Sequence, residues 1–100
     1  MKNTILKEAY ELLRKAEMVS TESEFSLDWL GHSESYLRRL RFKNAEPSLG
    51  SVAICAVRLQ KTGEQMLTSR YKQLGIQVIA MSEKLHQQVT EQGVEFELAD

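Results

Sequence analysis

Apolar residues recur at helical spacing along most of this chain. Between positions 4 and about 19, Ile5, Ala9, Leu12, Leu13, Ala16 and Val19 gather on one side at 100° per residue, and Asn3 or Thr4 is available as the cap. The spacing predicts an amphipathic first helix. A polar stretch over 20–24 leads to Phe25, and Ser26 is placed to cap a short helix carrying Leu27, Trp29 and Leu30 that Gly31 ends. Ser33 is placed to cap the next segment, where Leu37 and Leu40 point one way while Ser35, Arg38, Arg39 and Phe42 fall on the opposite side. One face of that segment is expected in the core and the other is presented.

Asn44, Ala45 and Glu46 form a connection, Pro47 fixes an extended or turn backbone, and Ser48 caps a helix whose inner stripe is Leu49, Val52, Ala53, Ala56 and Leu59. Beyond Gly63, the positions Leu67, Tyr71, Leu74, Val78, Met81 and Leu85 are spaced four, three, four, three, four, the heptad rhythm of a helix lying along another helix. This stripe either packs on the first and fourth helices or projects to form a two-fold homodimer. Gly75 interrupts it at about 1 kcal/mol. Gly75 as a C-cap followed by a strand over 76–80 is the competing reading, and the continuous helix is the one adopted. After Gly93, the run Val94-Glu95-Phe96-Glu97-Leu98 alternates with period two, which fits a short edge strand, a docking tail or a frayed end.

The expected architecture is all-α: five helices, a long C-terminal helix and an open option of a short C-terminal strand. It divides into a helix-turn-helix unit over 1–62 and a helical extension with an acidic tail over 63–100, within one compact body. One hundred residues with 42% apolar content suffice for one core and exclude a second full domain. The longest apolar run is the six residues 52–57, against roughly 20 needed to span a bilayer, and no apolar h-region follows the first residues. A soluble cytoplasmic protein without a membrane partner is therefore expected. A single cysteine excludes an internal disulfide framework, and one Pro with five Gly is sparse for a sandwich or barrel. Thirteen basic and fourteen acidic residues give a formal charge of −1, so any nucleic-acid contact must come from a local patch. Such a patch exists, because the segments 1–37, 38–84 and 85–100 carry net charges of −3, +6 and −4.

The stretch 30–59 resembles the helix-turn-helix core of lambda-repressor and Cro-like DNA-binding domains. The resemblance is carried by Leu30-Gly31, Ser33 and Ser35, Leu37 and Leu40, Pro47-Ser48-Leu49, and Ala56 with Leu59, without a gap between Gly31 and Pro47. It implies a left-handed Gly31 in the turn, Leu37 and Leu40 as anchors of a recognition helix, and a fourth helix begun by Pro47-Ser48-Leu49. Lys43 stands where that family often has the Gly that ends the recognition helix, and Asn44 can adopt the left-handed conformation instead.

Arg38, Arg39, Arg41 and Lys43 place four positive charges within six residues, and Arg38 and Arg39 are placed to pair with guanine edges or phosphates. Ser33, Ser35 and Tyr36 can donate to phosphates or bases. Four neutralised phosphates would give a slope of about −3.6 in log affinity against log salt. The leading expectation is thus a non-enzymatic, double-stranded-DNA-binding transcriptional regulator of phage or mobile-element type. Phe42 among arginines, beside Tyr36, also has the composition of a protein interface, so the alternative is a small anti-CRISPR-like inhibitor that binds a host protein or nucleoprotein complex. The segment Gly31-His32-Ser33-Glu34-Ser35 only imitates a nucleophile elbow, since its last position is Ser and no parallel sheet precedes it. His32, His86 and Cys55 do not form a metal-ligand set, and neither metal nor cofactor is expected. Cys55, within its apolar run, reads as a buried small hydrophobe, as does Trp29 as a core residue.

Overall fold

A computed structural model describes the backbone of residues 4–99 and the side chains of 5–93. The chain forms α1 (Thr4–Lys15), α2 (Glu22–Asp28), α3 (Tyr36–Lys43), α4 (Leu49–Met66) and α5 (Lys72–Ala99). The fold is all-α, and there is no strand among the described residues. One core is shared by Leu6, Ala9 and Leu13 of α1, Phe25 and Leu30 around α2, Leu37 of α3, Val52, Cys55, Ala56 and Leu59 of α4, and Val78, Met81 and Leu85 of α5.

Helix α1 stops at Lys15, four residues before the apolar periodicity runs out. Glu17 enters the left-handed region with φ 60°, and the Met18 N–H reaches back to the Leu13 carbonyl at 2.9 Å. That six-to-one bond closes the helix, and Val19 fills the core from the loop instead. The cap of α2 is Thr21, not Ser26: the Thr21 Oγ1 accepts from the Glu24 N–H at 3.1 Å. Burial of Phe25 sets the helix one turn earlier, so Ser26 lies buried inside it while Leu27 faces outward.

Gly31 adopts φ +67°, a conformation that penalises a Cβ, and a Cβ there would also sit 3.4 Å from Ile54 Cδ1. The turn is held by the bond from the His32 N–H to the Ser26 carbonyl, and the Ser26 Oγ accepts from the Leu37 N–H at 3.1 Å. Ser33 does not cap α3. The helix begins at Tyr36 behind Ser35, whose side chain makes no capping bond, because the Ser33 hydroxyl is taken by Arg39 and the orphan N–H of Leu37 by Ser26. At the other end Asn44 is left-handed (φ 51°, ψ 41°), and the Ala45 N–H bonds to the Leu40 carbonyl.

The Ser48 Oγ caps α4 by accepting from the Ser51 N–H. Leu49 and Ala53 are not in the buried stripe, since Leu49 is exposed and Ala53 half-buried; the core side is Ser51, Val52, Cys55, Ala56, Leu59 and Gly63. The helix runs through Gly63 to Met66, so the sequence division at 62/63 falls within it. The most extensive helix–helix packing is that of α4 on α5. A Cβ at Gly63 would lie 2.6 Å from Ile79 Cγ1, and one at Gly75 would lie 2.8 Å from Met66 Cβ, so this pair of glycines permits the close approach. Gly75 is inside α5, and 76–80 are helical.

The heptad rhythm begins too early in the chain. Leu67 and Tyr71 precede α5, because the hydroxyls of Thr68 and Ser69 bond to the Gln65 and Met66 carbonyls and close α4. Val78, Met81 and Leu85 belong to the core, Leu74 packs against it, and Tyr71 is exposed. Residues 94–98 continue α5, where each further residue adds a helical bond and no strand edge is present among the described residues to recruit them.

Candidate nucleic-acid interface

The candidate site is the outer side of α3. Burial of Leu37 and Leu40 fixes which side faces solvent, and Phe42 is then 89% exposed. Arg38, Arg39, Lys43 and Ser33 are exposed around it and Ser35 is half-buried. The Arg39 guanidinium donates to the Ser33 Oγ at 3.2 Å, which steers it toward the start of the helix. Among the described residues Arg38 has neither a hydrogen bond nor an ion pair.

Two of the residues expected at the site have other work. Arg41 pairs with Glu22, tying α3 to the first turn of α2. The Tyr36 hydroxyl accepts from the Ser48 N–H at 3.0 Å and from the Ser51 hydroxyl at 3.1 Å. With the Ser51 proton so committed, the 2.6 Å contact between the two serine hydroxyls is donated by Ser48. This chain of bonds fastens the start of α3 to the start of α4 and satisfies the buried Ser51. Burial raises the Tyr36 pKa, but the bonds from Ser51 and Ser48 and the charge of Arg39 outweigh it, holding the phenol below its ordinary value.

Sequence reasoning missed His32 as a neighbour of this site. Its ring stacks on Tyr36 with centroids 3.8 Å apart and planes 6° from parallel. The spacing of four residues was the available signal, although it is diagnostic only on a helix and His32 lies before one. No hydrogen bond joins His32 to Ser33 among the described residues, so the elbow-like segment has no base on its serine. A cleft of about 310 Å³ behind α3 is lined by Lys7, Tyr10, Arg14, Leu37 and Arg41 together with Glu11 and Glu22, a mixed set of charges.

Cys55 is fully buried, and loss of solvation pushes its thiol up to about 12, which Arg58 offsets only in part. It is a packing residue. Among the described residues no group of three or more His, Cys, Asp or Glu could hold a metal ion, and no helix is long and apolar enough to cross a membrane.

A family model matches residues 6–97 of the chain, that of a family whose function is unknown. No curated protein and no solved structure matches.

Proposed function

We propose that this chain, which belongs to the family of unknown function DUF6626, is a non-enzymatic helix-turn-helix protein that binds double-stranded DNA and regulates transcription, in the manner of lambda-repressor and Cro-like domains. The observation that carries the reading is the exposure of Arg38 and Arg39 on a short helix anchored from behind by Leu37 and Leu40, after a left-handed turn at Gly31. In this reading Arg38 and Arg39 reach base edges or phosphates, Ser33 orients Arg39, and Lys43 adds a phosphate contact. Tyr36 and Arg41 hold the helix in place from within the protein.

The test is a fluorescence-anisotropy titration of labelled duplexes, one from the DNA flanking the gene and one unrelated. Salt-sensitive binding by the wild type, lost in Arg38→Ala/Arg39→Ala, supports the reading. Equal binding by both proteins, or none by the wild type, rejects it.

A second reading is favoured by Phe42, whose ring stands almost fully in solvent amid cations. Such a ring suits a protein-binding hot spot, and the chain would then be a small inhibitor, anti-CRISPR-like, of a nucleic-acid-handling complex. Capture of such a complex by the wild type but not by Phe42→Ala, without duplex binding, would select this reading over the first.

A further inference from the structure

The first half of helix α4 is apolar on both sides. Its core side is Val52, Cys55, Ala56 and Leu59, and at 100° per residue the opposite side holds Gly50, Ile54 and Val57, with Ala53 at its edge and Lys61 at its far end. A surface helix ordinarily carries polar residues there, and a helix apolar all round is normally covered. Here Ile54 is 39% and Val57 45% exposed, and an added Cβ at Gly50 would meet nothing within 4 Å. The stripe is graded as well as apolar, with small residues in its first half and large ones in its second.

We propose that this face pairs with the same face of a second copy of the chain, the two α4 helices running antiparallel about a two-fold axis between positions 53 and 54. Two-fold symmetry then sets Val57 of each copy over Gly50 of the other and Ile54 over Ala53, large on small at every layer. Parallel pairing would set Gly50 on Gly50 and leave a void. Charge at the two ends of the helix favours the same orientation. The end of the stripe carries Lys61 and its beginning follows Glu46, both exposed, so the antiparallel arrangement brings each lysine toward the other copy's glutamate. A partner of unrelated sequence would need this grading in reverse, whereas a second copy supplies it by symmetry.

From Gly50 to Val57 the face spans about 11 Å of helix. A patch that short cannot bury the roughly 2,000 Å² or more of a permanent interface, so the dimer is reversible and concentration-dependent. The pairing requires nothing of α3 and stands or falls apart from the DNA reading.

The experiment is sedimentation velocity of the full chain over a wide concentration range without nucleic acid. Wild type is expected to move reversibly between monomer and dimer. Val57→Glu, on an exposed position that leaves the core intact, should weaken association about tenfold or more while the circular dichroism spectrum stays helical. Lys61→Glu alone should weaken it and Glu46→Lys/Lys61→Glu should restore it, a rescue specific to the antiparallel register. A monomer at every concentration, a dimer indifferent to Val57→Glu, or a failed rescue would each overturn the proposal.

Discussion

The Tyr36 hydroxyl accepts the backbone N–H of Ser48 at 3.0 Å, so the first residue of the presented helix is fastened to the cap of the helix that follows. The same oxygen takes the proton of Ser51, a residue 1% exposed. Tyr36→Phe keeps the ring and its stack on His32 but leaves two donors without their acceptor, one of them buried. The expected cost is about 1–3 kcal/mol, read as a lower midpoint in urea unfolding with an unchanged slope. An unaltered midpoint would show that water replaces the phenol at no cost.

Arg41 is joined to Glu22 and Arg38 is not joined to anything among the described residues, which separates arginines that look alike in sequence. If the chain binds duplex DNA as proposed, with Arg38, Arg39 and Lys43 as the cations free for phosphates, the slope of log affinity against log salt is expected near about −2.7, shallower than four cations would give. Arg41→Ala should leave that slope unchanged and Lys43→Ala should reduce it by about 0.9. Anisotropy titrations at several salt concentrations measure both, and a slope that falls equally in the two variants would place Arg41 on the DNA.

Much of the fold was legible where one residue type answers one local demand. Gly31 and Asn44 sit in left-handed conformations, and Ser48 caps α4 through its own hydroxyl, all within a few residues of the feature that required them. What was not legible depends on pairs brought together by packing: Ser26 with Leu37, Tyr36 with Ser48, Arg41 with Glu22, separated by 11, 12 and 19 residues. Periodicity also misled where it ran past a helix end, because Val19, Leu67 and Tyr71 keep helical spacing across bends that hydrogen bonding makes. Glycine was ambiguous for a related reason. Gly31 marks a turn, while Gly63 and Gly75 mark a helix crossing, and a single sequence does not distinguish the two uses.

Gly75, set against Gly93, gives a second stability test. Alanine in a helix interior usually gains up to about 1 kcal/mol over glycine, and Gly93, with nothing within 4 Å of an added Cβ, should follow that rule. Gly75→Ala should do the reverse. Its Cβ would meet Met66 Cβ at 2.8 Å and the Gly63 carbonyl oxygen at 3.0 Å, neither of them the mobile end of a side chain. Overpacking of this kind costs about 1–3 kcal/mol, so thermal unfolding is expected several degrees lower for Gly75→Ala and slightly higher for Gly93→Ala. A stabilised Gly75→Ala would mean that α4 and α5 do not approach this closely.

Alkaline pH should loosen the fold through Cys55. In the unfolded chain the thiol titrates at its ordinary value of 9.0, while burial in the folded state pushes it up to about 12. Above pH 9 the unfolded state loses a proton that the native state keeps, so ν(U) falls below ν(N) and stability declines with rising pH at up to about 1.4 kcal/mol per unit until the folded thiol ionises too. Tyr36 acts in the opposite sense, since its lowered pKa favours the folded state once the phenol ionises. Comparing wild type with Cys55→Ala isolates the thiol: the variant begins less stable at neutral pH because it leaves a small gap in the core, yet its melting temperature should fall less steeply between pH 9 and pH 11. In the same range the native thiol should resist an aromatic disulfide reagent until unfolding exposes it, because the reacting species is the thiolate and the residue is sealed by its neighbours. Parallel pH profiles for the two proteins, or rapid labelling of native Cys55 near neutral pH, would show that solvent reaches this part of the core.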